Sequence, residues 1–128
     1  MARLTLARIV RVVAEEFGET PDRITGPSRA IHLATPRHVV WGIAARTGRF
    51  TGGQLAAAFD RDMSTVAVGI ARLPRKLAKP AIAARVVRVC ERLAVDPRLL
   101  GLEPTVPVIA RLVPSISVAA SFAREVSA

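Results

Sequence analysis

The sequence predicts an all-α fold, a helical bundle built around a helix-turn-helix with a C-terminal helical extension. Three observations lead there. Apolar residues recur at three- and four-residue spacing, no stretch alternates with the period of a strand, and threonine or aspartate followed by proline repeats as a helix-opening signal. Of 128 residues, 51% are hydrophobic and 23% charged, which supports one core and excludes general disorder.

The first helix is expected over Arg3–Phe17, where Leu6, Ile9, Val10, Val13 and Phe17 form one stripe and Arg11 and Glu15 face water. Gly18 ends it. Thr20 caps a short helix opened by Pro21 and running to Thr25. Gly26-Pro27-Ser28 then breaks the chain and leaves Arg29 on a loop. Thr35-Pro36 repeats the cap-then-proline signal for a helix to Thr47, with Val39, Val40 and Ile43 inward and Gly48 as its stop. Thr51 caps a short helix bearing Leu55 and Phe59. The chain turns at Asp60-Arg61, and Asp62 caps a helix to Leu73 with Val66, Ile70 and Leu73 inward. Two short helices joined by a tight turn have the layout of a helix-turn-helix.

Pro74 and Pro80 punctuate the next stretch around Arg75, Lys76 and Lys79. A helix over Ala81–Ala94 turns Val86, Val89, Cys90 and Leu93 inward, and Asp96-Pro97 caps a final turn. Residues 1–80 thus read as the helix-turn-helix domain and 81–102 as added helices packing on it. Residues 103–128 read as an apolar, Pro-punctuated tail, helical or partly disordered.

Charge points to a partner. Lys+Arg is 19 against Asp+Glu 10, a formal charge of +9, which favours a polyanion. From Arg23 to Lys79 there are ten basic and two acidic residues, whereas residues 81–128 hold six and four. The bland reading is a solvated basic surface. Concentration beside the two-helix motif favours double-stranded DNA instead.

Other classes fall away. One cysteine allows no internal disulfide and fits a reducing compartment; His32, His38 and Cys90 are too scattered for a metal centre. No apolar run approaches membrane-spanning length. The opening MARLTLARIVRVVAEEF is interrupted by Arg8, Arg11, Glu15 and Glu16, unlike a secretory signal, so the expected location is the cytoplasm, at the nucleoid. Arg and Glu alternating on the first helix also make a poor lipid-seeking face. With no phosphate loop, Ser/His/Asp grouping or paired carboxylates, no enzymatic activity, catalytic residue, nucleotide, cofactor or metal is expected.

The stretch Ala58-Phe59-Asp60-Arg61-Asp62-Met63-Ser64-Thr65-Val66, preceded by Arg29 and Thr35-Pro36-Arg37, resembles the C-terminal DNA-binding domain (domain IV) of the bacterial replication initiator DnaA. That family carries Phe-Gly-Gly-Arg-Asp-His-Thr-Thr-Val downstream of a basic loop and a Pro-Arg helix start. The resemblance covers about Leu4 to Leu73 and implies a Trp repressor-like helix-turn-helix. It implies that Arg29 enters a minor groove and that Asp62, Met63, Ser64 and Thr65 meet base edges in the major groove. The chemistry is compatible: Asp accepts from cytosine N4, Ser and Thr bond base edges, and a Thr methyl packs on a thymine methyl. Arg37, at a helix start, suits a phosphate, and Arg46, Arg49, Arg61 and Arg72 are further phosphate candidates. Three positions depart from the family: Met63 replaces histidine, Asp60 replaces Gly-Gly, and Gly52-Gly53 replaces Leu-Pro.

Taken singly, Asp62 reads as an ordinary cap, as do Thr20, Thr35 and Thr51, and Arg29 as an exposed loop residue. Trp41 shares a face with Arg37 and is expected to pack on the tail or a neighbouring helix. Cys90 reads as a core residue, and His32 and His38 as non-catalytic. Two functions are therefore carried forward. One is a non-enzymatic DNA-binding protein in replication initiation control or transcription regulation. The alternative is a protein-interaction module acting on the initiator or its regulators, suggested by Met63, Asp60 and the apolar residues of Pro107–Phe122.

Overall fold

Six α-helices and two 3₁₀ turns account for the regular structure of residues 3–104, which the computed structural model describes. The helices are α1 (Leu6–Phe17), α2 (Pro21–Thr25), α3 (Ala34–Arg46), α4 (Gly52–Ala58), α5 (Met63–Leu77) and α6 (Pro80–Arg92). The 3₁₀ turns are Ile31–Leu33, leading into α3, and Pro97–Leu100. No strand occurs among the described residues. The tail expected over 103–128 lies outside them from residue 105 onward.

Local chemistry sets most boundaries. Thr5 caps α1 through a bond from the Arg8 amide, so the helix starts at Leu6 and not at Arg3. Thr20 caps α2 in the same way, and Thr51 with Gln54 forms a reciprocal capping box on α4. Gly18 and Gly48 stand at φ 70° and 71°, past the ends of α1 and α3, where a β-carbon would be strained.

Two expectations fail for identifiable reasons. Thr35 is no cap: the 3₁₀ turn runs straight into α3, and the Ala34 amide is satisfied by the Ile31 carbonyl. Pro74 does not stop α5 near Leu73. The helix continues to Leu77 with the proline ring exposed, because Leu73 and Leu77, one turn apart, are both buried in the core.

The core centres on α3, whose Val39, Val40, Trp41, Gly42, Ile43 and Ala44 are all buried, so it is enclosed on nearly every side. Helix α1 packs on α2, α3 and α6, which explains why Val12 is buried beside the expected Ile9, Val10 and Val13. Helix α6 contributes Val86, Val87, Val89 and Cys90 to the same core. Burial pushes the Cys90 thiol up to about 12, with Asp96 and Glu91 adding to the effect, which leaves it protonated and unreactive.

Helices α3 and α5 lie side by side in the same direction. Their leading halves (Ala34–Trp41 and Asp62–Thr65) line one groove, and their trailing halves (Gly42, Arg46 and Ile70–Leu77) line another. Close approach is possible because Gly69 meets Trp41 and His38, where a β-carbon would fall 2.6–2.8 Å from ring atoms. Trp41 thus packs on a neighbouring helix, edge-on to Phe59 at 5.5 Å between ring centroids.

Candidate nucleic-acid interface

The leading ends of α3 and α5 open on one groove of about 570 Å³, lined by Arg29, Ile31, Arg37, Asp60, Arg61, Asp62 and Thr65 among others. Two helix N-termini supply partial positive charge there. Three arginines share the lining of the groove with two aspartates, Asp60 and Asp62.

The Arg29 loop is held down by its neighbours. Arg37 donates from Nε to the Ile24 carbonyl at 2.7 Å and from Nη2 to the Arg23 and Gly26 carbonyls at 3.0 Å each. Arg61, from the turn before α5, also donates from Nη2 to Gly26 at 3.0 Å. Gly26 fits because a β-carbon would come within 2.6 Å of the Asp22 carbonyl oxygen. The Ser28 hydroxyl accepts from the Ala30 amide, tightening the bend that carries Arg29.

This geometry corrects one expectation. The sequence places Arg37 at a phosphate, yet the residue is only 6% exposed and turned inward onto three carbonyls. A buried charge requires such partners, and their position is set by α2, which the local pattern around Arg37 does not reveal. Burial and the neighbouring Arg61 lower its pKa from the ordinary arginine value. Arg61 divides between two surroundings: its Nε is buried, while its side chain lines the groove.

The remaining candidates are more open. Arg29, Asp62, Met63, Ser64 and Thr65 are all exposed, and Met63 retains 63% of its surface. Asp62 occupies the position before the first turn of α5, but its carboxylate makes no capping bond. It lines the groove instead, so the reading of Asp62 as a side-chain cap does not hold. Arg72 is exposed on α5, on the side turned to His38. Arg49 is exposed on the loop before α4. Arg46 is exposed too, but lines the second groove, with Gly42, Ile70 and Leu99.

Two residues without an assigned role also shape this region. Lys76 Nζ donates to His38 Nδ1 at 2.8 Å, beside the Trp41 ring. Burial, then Lys76, Arg72 and Arg37, hold the imidazole down to about 4, so it is neutral at pH 7. Lys76 is itself lowered, by burial and by Arg72 and Lys79. No local sequence signal marks this pair, because its members lie on different helices, 38 residues apart.

Ion pairs lie elsewhere. Glu16 bonds Arg88 and Arg92 at 3.0 and 3.1 Å, Glu15 pairs with Arg92, and Glu19 meets Arg23 and His32. Among the described residues, no ion pair involves Arg29, Arg46, Arg49, Arg61, Arg72 or Arg75. Acids are therefore matched to bases across α1, α2 and α6, and the helix-turn-helix side keeps its positive charge. Among the described residues there is no grouping of His, Cys, Asp and Glu that could hold a metal ion, and no helix long and apolar enough to cross a membrane.

Comparison with known proteins gives consistent matches. A family model described as the bacterial dnaA protein helix-turn-helix matches residues 6–73. The chain is 30% identical over 86 residues to the chromosomal replication initiator protein DnaA of Deinococcus radiodurans, covering 66% of this chain and 18% of that protein. It is 32% identical over 75 residues to the chromosomal replication initiator protein DnaA 1 of Chlamydia muridarum, covering 59% of this chain and 16% of that protein. The chain thus spans less than a fifth of the length of either relative.

Proposed function

Because the chain belongs to the bacterial DnaA helix-turn-helix family, we propose that it binds double-stranded DNA without catalysing a reaction. In this reading Arg29 enters the minor groove while Asp62, Met63, Ser64 and Thr65 meet base edges in the adjacent major groove. Arg49 and Arg72, with Arg46 at the far end of α3, contact phosphates. Arg37 and Arg61 act one step back, fixing the loop that carries Arg29. The protein works at the nucleoid in the cytoplasm, in replication initiation control or transcription regulation.

One observation supports this above the others. Arg29 and the leading end of α5 line the same groove, on the side of the molecule whose arginines form no ion pair among the described residues. A duplex supplies that countercharge, and each phosphate neutralised releases counterions.

Fluorescence anisotropy with labelled duplexes tests the reading. Binding to random duplex at low salt is expected, with affinity falling linearly in log–log form as salt rises, and tighter binding to a preferred sequence. Arg29→Ala is expected to weaken binding about tenfold or more and to flatten the salt slope by about one charge. No binding at low salt defeats the proposal. Binding without any sequence preference reduces residues 62–65 to phosphate contacts.

A second reading has its own observation. The second groove is apolar, lined by Ile70, Leu73, Leu77, Leu99 and Leu100, and Leu99 is 47% exposed. This surface suits a protein partner such as the initiator or one of its regulators. Capture of such a partner that survives Arg29→Ala and is lost on Leu99→Asp would favour it.

A further inference from the structure

In the DNA-binding reading, helix α5 presents an unusual surface for reading bases. The side of α5 opposite its buried row of Val66, Gly69, Leu73 and Leu77 carries Ser64, Val68, Ala71 and Arg75, all exposed. Beyond Ser64 that row offers only methyl groups until the guanidinium of Arg75. Val68 is 46% exposed, and Met63 on the adjoining side is 63% exposed. Hydrogen-bonding side chains flank this apolar stretch, with Asp62, Ser64 and Thr65 at the leading turn and Arg72 and Arg75 towards the far end.

Exposed apolar side chains on a helix whose Arg72 and Arg75 form no ion pair among the described residues suit a ligand that is both anionic and locally apolar. In the major groove of a duplex, the apolar feature on a base edge is the C5 methyl of thymine. We infer that α5 selects thymine by its C5 methyl group through Val68 and Met63, so that the target carries thymine where these two side chains meet the major groove. This rests on the DNA-binding reading above and adds the base it prefers. Arg29 argues the same way from the other groove, since a narrow A·T-rich minor groove concentrates negative potential and attracts a guanidinium.

The test uses the full chain and two duplexes of about two helical turns each: alternating dA·dT, and the same duplex with deoxyuridine for every thymidine. Only the methyl groups differ. The native chain is expected to bind the thymidine duplex more tightly, by about fourfold for each methyl contacted. Val68→Ala is expected to narrow that ratio toward one, with its melting curve confirming that this exposed change leaves the fold intact. Arg29→Ala is expected to weaken binding to both duplexes and to preserve the ratio. A native ratio of one, or a ratio that Val68→Ala does not alter, overturns the inference while leaving DNA binding standing. A native chain that binds neither duplex at low salt overturns the DNA-binding reading itself.

Discussion

Arg37 and Arg61 donate to a single acceptor, each placing Nη2 3.0 Å from the Gly26 carbonyl oxygen. Two guanidiniums, one from α3 and one from the turn before α5, thereby fix the start of the Arg29 loop against both. Replacing Arg37 with Ala leaves the Ile24 and Arg23 carbonyls without this donor in a buried setting. The expected cost is about 2–4 kcal/mol in urea unfolding. Arg37→Lys is expected to lose most of that stability as well, because an ammonium cannot reproduce the planar fork that reaches three carbonyls. A Lys variant as stable as the native chain would point to a surface charge instead.

What the sequence made legible was local. Thr20, Thr51, Gly18 and Gly48 acted where their chemistry acts, within one turn of a helix end. Ile9, Val13, Val39 and Ile43 are buried because amphipathic spacing reports which side faces a core. The candidate site was legible as a set of residues, and the structure gathers Arg29, Asp62 and Thr65 around one groove. What could not be read were features imposed from a distance. Arg37 is captured by carbonyls from α2, and Pro74 is carried through by the burial of its neighbours. The His38–Lys76 contact joins α3 to α5 only once Gly69 lets them approach.

Two Gly/Ala exchanges are expected to invert the usual helix preference for alanine. At Gly69 an added methyl gains about 1 kcal/mol of helix propensity, but it meets the Trp41 and His38 rings at 2.6–2.8 Å. Rings packed on both sides cannot swing away, so Gly69→Ala should destabilise by about 1–3 kcal/mol net. At Ala94, just past α6, φ is 57°, and the Val95 amide closes the helix end onto the Cys90 carbonyl. Ala94→Gly should therefore stabilise by about 1 kcal/mol. Thermal melting of the two variants reads both signs, and a stabilising Gly69→Ala would contradict the packing described.

Acid should weaken the fold through His38 before the carboxylates titrate. The imidazole is faced by Lys76, Arg72 and Arg37 and lies against Trp41; burial and these cations lower its pKa from 6.5 to about 4. Between those values the unfolded chain takes up a proton that the folded chain refuses. Stability then falls as pH drops through that window, by on the order of 1–2 kcal/mol for this half-buried group. Glu16, held below the usual carboxylate range chiefly by its bond from Arg88, loses its contribution at lower pH as it is protonated. His38→Gln keeps an acceptor for Lys76 and does not titrate. Urea midpoints measured from pH 7 to pH 5 should lose most of their slope in that variant, and an unchanged slope would clear His38.

Asp60 offers a gain of function. It sits in the turn between α4 and α5 at φ 51°, a left-handed conformation, and its side chain lines the groove with Arg29 and Arg61. A carboxylate there opposes an approaching phosphate and offsets part of the guanidinium charge. Asparagine tolerates the same backbone conformation and has nearly the same shape, so Asp60→Asn removes the charge with little effect on stability. Affinity for duplex DNA at low salt should rise about two- to tenfold. The advantage should shrink as salt shortens the screening length towards about 8 Å, because the repulsion acts through solvent. If the duplex docks on another side of the molecule, the native chain and the Asp60→Asn variant will bind alike at every salt concentration. That result would remove the groove from the interface, whatever the family resemblance implies.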